Sequence, residues 1–212
     1  EIHLVLIWEK GLEKLSHIIY DLESSFKILD VKKIVWEKRN FSSNLSRFYG
    51  QNLPNKSFKE RHCGNGPFVS ILIKQDNPIY ENRETSKGVF LVNKVLYDKK
   101  QLYRKWTGGG HKIHTSNDIE EADHDIFFLF GKKSSDYLSR ASWDKKIEEH
   151  KRSIAGFNGW KDLDDMFSFI NKSSNYVILR NYEKIDYLDA NKTDIDFLTT
   201  DKDFCYHKIC TY

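Results

Sequence analysis

The chain has 212 residues, of which 39% are hydrophobic, enough to build one sound core and a small second one. Charged residues make up 31% of the chain but nearly cancel to a net charge of +3, so nonspecific nucleic-acid binding is unsupported. No apolar run approaches the roughly 20 residues that a membrane-spanning helix needs, and three cysteines, an odd number, fit a reducing compartment. We therefore expect a cytoplasmic protein without a membrane partner.

The N-terminal part alternates strand and helix patterns. Residues 3–8 form a nearly continuous apolar run, typical of a strand that is buried on both faces. Apolar residues then recur at three- and four-residue intervals from 12 to 26, which predicts an amphipathic helix, and residues 31–36 are again strand-like. Residues 41–58 favour short helices and a turn, and residues 68–73 predict a second interior strand. This order predicts an α/β fold rather than a helical bundle.

A glycine-rich loop and a capped helix flank His114. The three glycines at 108–110 belong in a loop, because glycine loses much backbone entropy inside a helix or strand. Residues 115–118 are good helix N-caps, and an apolar stripe over residues 119–130 predicts the helix that Gly131 ends. His114 is thus expected just ahead of a helix N-terminus, where N–H groups attract phosphate. Its neutral imidazole is a competent nucleophile near pH 7, and the simpler alternative is a partly exposed loop histidine.

Three segments are predicted along the chain. Residues 1–131 form the α/β domain, residues 132–159 a charged connecting helix and linker, and residues 160–212 a small α+β region with one helix and two short strands. In the last segment, Asp194 and Asp196 form a D-x-D pattern that points both carboxylates to one side of a strand, as a shared cation requires. This region resembles the opening of small nucleotidyltransferase-like domains that hold magnesium with such a pair. A C-terminal cap is the alternative.

The segment around His114 resembles nucleoside diphosphate kinases. Residues 111–126 (HKIHTSNDIEEADHDI) are similar to that family's phosphorylated histidine, the Gly-Ser-Asp that follows it and an acidic helix. Residues 66–73 (GPFVSILI), followed by Arg83 and Arg104, repeat the order of its central strand and its two phosphate-contacting arginines. The match covers nearly all of residues 1–131.

The resemblance implies both a fold and a set of roles. The fold would be an antiparallel-dominated ferredoxin-like α/β sandwich. His114 would be the nucleophile, with Arg83 and Arg104 neutralising the phosphoryl oxygens. The remaining implied roles are imidazole orientation by Ser116 and Asp125, base stacking by Phe58, and nucleotide or phosphate contacts by Tyr49, Lys10 and His111. Mg²⁺ would accompany the nucleoside triphosphate.

Several positions depart from the family pattern. Trp8 stands where the family has a lysine at the end of the first strand, with Lys10 as a substitute two residues later. His111 replaces an asparagine, Thr115 replaces a glycine, and the loop before His114 is shorter. Simpler interpretations also exist for Arg83 and Arg104, as exposed ion pairs or a solvated face, and for Phe58 as a packing residue.

The leading functional hypothesis is a kinase-like phosphotransferase that moves a nucleotide γ-phosphoryl group through a phosphohistidine at His114 to an acceptor. The acceptor is a nucleoside diphosphate or a more specialised molecule. A noncatalytic nucleotide-binding module is the first alternative. A nucleotidyltransferase that uses Asp194 and Asp196 within a longer parent protein is the second. The resemblance also implies a homo-oligomer, unless the C-terminal residues cover the assembly surfaces.

Overall fold

The structure, a computed structural model, describes residues 1–85, 88–173, 175–180 and 195–200. Its strands are β1 (Ile2–Ile7), β2 (Lys27–Val35), β3 (Phe68–Lys74), β4 (Tyr80–Thr85), β5 (Gly88–Asn93), β6 (Ile113–Thr115), β7 (Glu148–Lys151), β8 (Tyr176–Ile178) and β9 (Phe197–Thr199). Its α-helices are α1 (Leu15–Glu23), α2 (Phe41–Tyr49), α3 (Phe58–Cys63), α4 (Lys94–Trp106), α5 (Ile119–Phe130) and α6 (Leu163–Ser173). Short 3₁₀ helices span Glu9–Lys14, Lys38–Asn40 and Ser134–Tyr137. Among the described residues, no helix is long and apolar enough to cross a bilayer.

The main sheet has five strands in the order β6-β1-β3-β2-β7. β1 pairs antiparallel with β3 and β6, β2 pairs antiparallel with β3, and β7 joins β2 in parallel. The chain order β1-α1-β2-β3-α4-β6 is the split βαβ arrangement of ferredoxin-like folds. The predicted antiparallel-dominated ferredoxin-like α/β fold is confirmed, as are β1 and β3 as interior strands.

Helices bury both faces of this sheet. On β1, Val5 and Ile7 belong to the core cluster that contains residues of α1 and α4. Leu4 and Leu6 belong to the second cluster, which contains residues of α2, α5 and α6. Because neighbouring strand residues point to opposite faces, a strand covered on both sides needs apolar residues throughout. That explains the continuous apolar run seen in the sequence.

A β-hairpin, β4–β5, lies outside the main sheet, in the chain segment between β3 and α4. The sequence interpretation did not predict these strands. The Tyr97 hydroxyl on α4 donates a hydrogen bond to the Glu84 carbonyl of β4 at 2.7 Å. Val89 and Leu91 of β5 are exposed. This insertion places β4 beside α4 rather than in the sheet.

Residues 132–159 contain no α-helix, so the expected connecting helix is wrong for this segment. Instead, β7 extends the main sheet, and its Glu148 and Glu149 accept hydrogen bonds from Lys32 and Lys33 of β2 at 2.7 and 2.9 Å. The Trp143 backbone N–H also donates to the Ile28 carbonyl at 2.9 Å. These lysine–glutamate pairs hold the segment against β2 as a charged, solvent-facing edge strand, so it is not a free linker.

The described part of residues 160–212 packs on the N-terminal core. Phe169 of α6 contacts Phe127 and Phe128 of α5, with ring centroids 5.4 and 4.7 Å apart. Tyr176 of β8 packs against the same cluster, and β8 pairs antiparallel with β9. These contacts agree with the cap alternative, and the described residues give no support to a nucleotidyltransferase-like domain.

Candidate functional site

A pocket of about 870 Å³ opens at the β6 edge of the sheet, where α4 of one helical layer and α5 of the other come together. Short β6 supplies His114, and α2, α3 and the end of β4 complete the walls. The lining residues are Phe48, Tyr49, Gln51, Lys59, Glu84, Thr85, Tyr97, Lys100, Gln101, Arg104, His111, Ile113, His114, Asn117, Glu120, Glu121, His124 and Asp125. Polar and aromatic side chains, including those of His111 and His124, therefore surround His114.

His114 is opposite Leu6 in the register of β6 with β1, so its side chain points toward α2 and α5. Its ring lies edge-on to Phe48 and Tyr49, at 5.6 and 5.7 Å between centroids, and the residue is only 8% exposed. Burial lowers the pKa of His114 to about 3, with Lys100 and Arg104 adding to the effect and Glu121 opposing it. The imidazole is therefore neutral at pH 7, as a nucleophile must be.

Asp125 of α5 fixes the orientation of this ring. Its Oδ2 lies 2.6 Å from His114 Nε2, and its Oδ1 lies 2.9 Å from His124 Nδ1. A neutral His114 that donates from Nε2 to the carboxylate carries its lone pair on Nδ1. Asp125 lies on the buried face of α5, and the residue is only 2% exposed.

Three cations share the pocket with His114. Arg104 donates from Nε and Nη2 to the Ile113 carbonyl, each at 3.3 Å, which leaves three of its five N–H groups for other acceptors. Lys59 lies over the Tyr49 ring, 3.7 Å from its centroid, and donates to Gln51 at 3.2 Å. Lys100 donates to Asn117 Oδ1 at 2.8 Å. All three ammonium or guanidinium groups are suited to phosphate oxygens.

The N-terminus of α5 is occupied by carboxylates of the chain itself. Asp118 Oδ1 accepts from the Glu121 N–H at 2.7 Å, and Glu121 Oε2 accepts from the Asn117 N–H at 2.6 Å. Burial raises the pKa of Glu121, with Asp125 adding to that shift and the Lys100 charge opposing it. Asp118 thus already satisfies one N–H of the first helical turn, and His114 lies in strand β6, four residues before this cap.

A metal ion held by the protein fits this site poorly. Donor atoms of His114, Glu121 and Asp125 lie within 4.8 Å of one another. However, the closest two of these donors already share a hydrogen bond of 2.6 Å, and Glu121 is bonded to a backbone N–H. The hard carboxylate oxygens suit Mg²⁺, but an ion would have to break those bonds first. These three side chains therefore do not form a ready metal site.

Some residues predicted from the resemblance lie elsewhere. Arg83 is not among the pocket-lining residues, and its Nη2 pairs with Glu81 and Asp98 at 3.2 and 3.4 Å. The shared cleft expected for Arg83, Arg104 and His114 is thus wrong for Arg83, because the β4–β5 hairpin carries it outward. Lys10 is also outside the lining and donates to the Arg61 carbonyl at 2.8 Å.

Ser116 and Phe58 also have other neighbours. Ser116 Oγ accepts from the Leu4 N–H at 3.1 Å and lies 3.3 Å from His3 Nδ1, so it does not contact His114. Phe58 is 59% exposed and its ring contacts that of His62 at a tilt, with 4.1 Å between centroids. Neither side chain lines the pocket.

Tyr49 and His111 both line the pocket. Their position is compatible with the nucleotide or phosphate contacts that the resemblance implies. Burial raises the pKa of Tyr49 well above its usual value, so its hydroxyl stays protonated. Burial also lowers the pKa of His111, with Lys59 and Arg104 adding to the shift. Both side chains are therefore neutral and offer hydrogen bonds rather than charge.

The D-x-D pair is only partly described. Asp194 lies outside the described residues, and the Asp196 carboxylate pairs with the Arg180 guanidinium. A cation partner is thus already present for Asp196. Its role as a metal ligand stays a prediction without support from its surroundings.

Sequence reasoning missed Lys59, Lys100 and Glu121. Lys100 had a recognisable signal, because it falls between buried Leu96 and Tyr103 on the same stripe of α4. A lysine on the apolar stripe of an amphipathic helix needs a reason to be there. The other two lie on helices whose packing the sequence did not specify.

Comparisons with known proteins give no family model and no curated relative that matches the sequence. Among solved structures, nucleoside diphosphate kinase from Encephalitozoon cuniculi matches with 14% identity and a TM-score of 0.42, covering 68% of this chain and 97% of that one. The enzyme from Aquifex aeolicus matches with 15% identity and a TM-score of 0.40, covering 59% and 92%.

Proposed function

We propose that the protein is a phosphotransferase that carries a phosphoryl group on His114. The observation that supports this most is the pairing of a buried, neutral His114 with Asp125 at 2.6 Å in a pocket that Arg104, Lys59 and Lys100 also line. A nucleophilic imidazole, an orienting carboxylate and cations for phosphate oxygens are the groups that such a transfer needs. The donor is a nucleoside triphosphate that enters as its Mg²⁺ complex.

The transfer has two steps. In the first, the Nδ1 lone pair of His114 attacks the γ-phosphorus, a P–N bond forms, and the bond from phosphorus to the β,γ-bridging oxygen breaks. The nucleoside diphosphate leaves with the electron pair of that bond. In the second, an oxygen of the acceptor attacks phosphorus, the P–N bond breaks, and His114 regains its lone pair. A nucleoside diphosphate acceptor supplies a phosphate oxygen and needs no base.

Each side chain has a defined part in this scheme. Asp125 accepts the Nε2–H and so stabilises the positive charge that the ring gains when Nδ1 bonds to phosphorus. Arg104 lies between α4 and β6 with N–H groups to spare for oxygens of the moving group. Tyr49 and His111 form polar contacts along the wall on which a nucleotide would lie.

The test is labelling by γ-³²P-labelled nucleoside triphosphates with Mg²⁺, followed by peptide mass spectrometry. Wild-type protein should form an acid-labile phosphohistidine, and His114→Ala should abolish the label, because the nucleophile is lost. His17→Ala, which removes an exposed histidine outside the pocket, is the matched control and should be labelled as wild type. A chase with unlabelled nucleoside diphosphates then identifies acceptors that remove the label.

A negative result has a clear reading. If no nucleoside triphosphate labels the wild type, or if His114→Ala is labelled at the wild-type rate, histidine-based transfer is refuted. Nucleotide binding without labelling would then favour the noncatalytic binding module. The labelling experiment thus separates the two functional classes.

A further inference from the structure

Lys100 is a buried ammonium group on the wall of the pocket. It is 7% exposed and lies on α4 one turn before Arg104, so both side chains face the pocket that contains His114. Neither the resemblance nor the sequence pattern assigned it a role. Its position calls for a physical explanation, since a buried charge is costly unless it is paired.

Its hydrogen bonding is incomplete. An ammonium group has three N–H donors, and one of them reaches Asn117 Oδ1 at 2.8 Å, a neutral acceptor. Among the described residues, no carboxylate lies within ion-pair distance of Lys100 Nζ. The neighbouring Lys99 shows the contrast, because its Nζ lies 2.5 Å from Asp21 Oδ2. Lys100 thus keeps N–H donors that no described side chain accepts, while the carboxylates of Glu121 and Asp125 lie near enough to favour its charged form.

The site also lacks the lysine that the resemblance predicts at the end of β1. Trp8 is fully buried there and packs on Phe68 with ring centroids 4.4 Å apart. Lys10, the expected substitute, is hydrogen bonded to the Arg61 carbonyl outside the pocket lining. A cation from α4 is available to take the place of one from β1.

We infer that Lys100 is a phosphate ligand of the pocket and, in the proposed transfer, a catalytic residue that donates its remaining N–H groups to the oxygens of the moving phosphoryl group. The catalytic role of Lys100 rests on the proposed function. Its role as a phosphate ligand rests on the burial of the side chain and on its unused N–H donors. Lys100 stays protonated throughout, so no bond to it forms or breaks. Its charge offsets the charge that develops on the phosphoryl oxygens.

The experiment compares Lys100→Met and Lys100→Arg with Lys105→Met, an exposed lysine of the same helix. Single-turnover labelling by γ-³²P-labelled ATP with Mg²⁺ should be about 100-fold slower in Lys100→Met. Lys100→Arg should recover part of the rate, because it restores a cation. Lys105→Met should be labelled at the wild-type rate.

Thermal unfolding separates this role from a structural one. Replacing an unpaired buried charge by a methionine of similar volume should leave the melting temperature unchanged or raise it. If Lys100→Met melts well below wild type and Lys100→Arg does not restore labelling, the lysine serves to hold Asn117 and the inference is wrong. Labelling of Lys100→Met within about threefold of wild type would also overturn it.

Binding of inorganic tripolyphosphate, followed by calorimetry, keeps the inference apart from the proposed function. Wild type should bind it at least about 10-fold more tightly than Lys100→Met, since a charged hydrogen bond is lost. Wild type that binds tripolyphosphate but is never labelled would refute the transfer and retain Lys100 as a phosphate ligand. Equal binding by both proteins would refute Lys100 as a ligand.

Discussion

The β4–β5 hairpin and helix α4 follow one another in the chain and each carries an arginine that the sequence assigns to phosphate. Arg83 of the hairpin lies between Glu81 and Asp98, at 3.2 and 3.4 Å. Arg104 of α4 meets a backbone carbonyl of β6, at 3.3 Å, and lines the pocket with His114. The first cation is neutralised by its own neighbours, and the second keeps its charge for a ligand.

This difference follows from where each element packs. α4 packs on the core through buried Leu96 and Tyr103, and Lys100 and Arg104 continue that same side of the helix to the edge strand β6. The hairpin pairs with itself and has an exposed surface, so its arginine finds acidic partners there. In the sequence, both arginines stand in the order that the resemblance assigns to phosphate contacts, so the sequence alone does not distinguish them. Packing decides which of them can meet a phosphate.

The largest expected effect is on transfer by the two arginines. Arg104→Met should slow labelling of His114 by about 100-fold, because a guanidinium that faces the phosphoryl group stabilises the transition state. Arg83→Met should change the rate by no more than about twofold. Single-turnover labelling by ATP and Mg²⁺ measures both. Equal losses in the two variants would show that Arg83 also reaches the substrate, and the proposed difference between Arg83 and Arg104 would be wrong.

The second-largest expected effect is the pH dependence of labelling, which depends on the charge of Lys100 on α4. Burial lowers the pKa of Lys100 to about 8, with Glu121 and Asp125 opposing the shift and Arg104 adding to it. The pKa of His114 is about 3, so the ring is neutral across the whole range from pH 5 to 9.

These pKa values predict that the labelling rate falls as the pH rises. Lys100 is charged below pH 8 and loses its proton above it, so labelling at subsaturating ATP should fall by about tenfold between pH 7 and 9. Lys100→Arg should be labelled without this decline, because arginine keeps its proton. A wild-type rate that rises across this interval would contradict the charged role of Lys100.

The smallest effect concerns stability. Arg83→Met should lower the free energy of unfolding by no more than about 1 kcal/mol, since ion pairs with partly exposed carboxylates contribute little. Urea unfolding followed by tryptophan fluorescence measures this value. A loss of several kcal/mol would mean that the hairpin is a supporting part of the core and not an appendage beside α4.

The sequence predicted the parts of the fold that depend on hydrophobic pattern. β1 and β3 are interior strands because their apolar runs are continuous, and α5 begins at the Asp118 cap and ends at Gly131. The β4–β5 hairpin was not predicted. Strand β4 consists of polar and charged residues without the alternation of a half-buried strand, and the apolar run of β5 at residues 89–92 is mostly exposed although its pattern is that of a buried strand.

The site was predictable where chemistry depends on nearby residues and less so where it depends on packing. His114 and Asp125 are 11 positions apart on consecutive elements, and the structure brings them to 2.6 Å. Ser116 is closer in sequence, but it follows the end of β6 and its Oγ accepts from the Leu4 N–H instead of contacting His114. The role of Arg83 was misread because only the tertiary structure reveals the hairpin.

Strand β7 ends the sheet with four side chains that are all charged or titratable: Glu148, Glu149, His150 and Lys151. Both glutamates already pair with lysines of β2, and Lys151 pairs with Glu149 at 2.9 Å. A strand from another molecule that added to this edge would have to strip water from these groups and meet their charges. The protein can thus leave one side of its sheet open to solvent at high concentration without joining its neighbours into fibres.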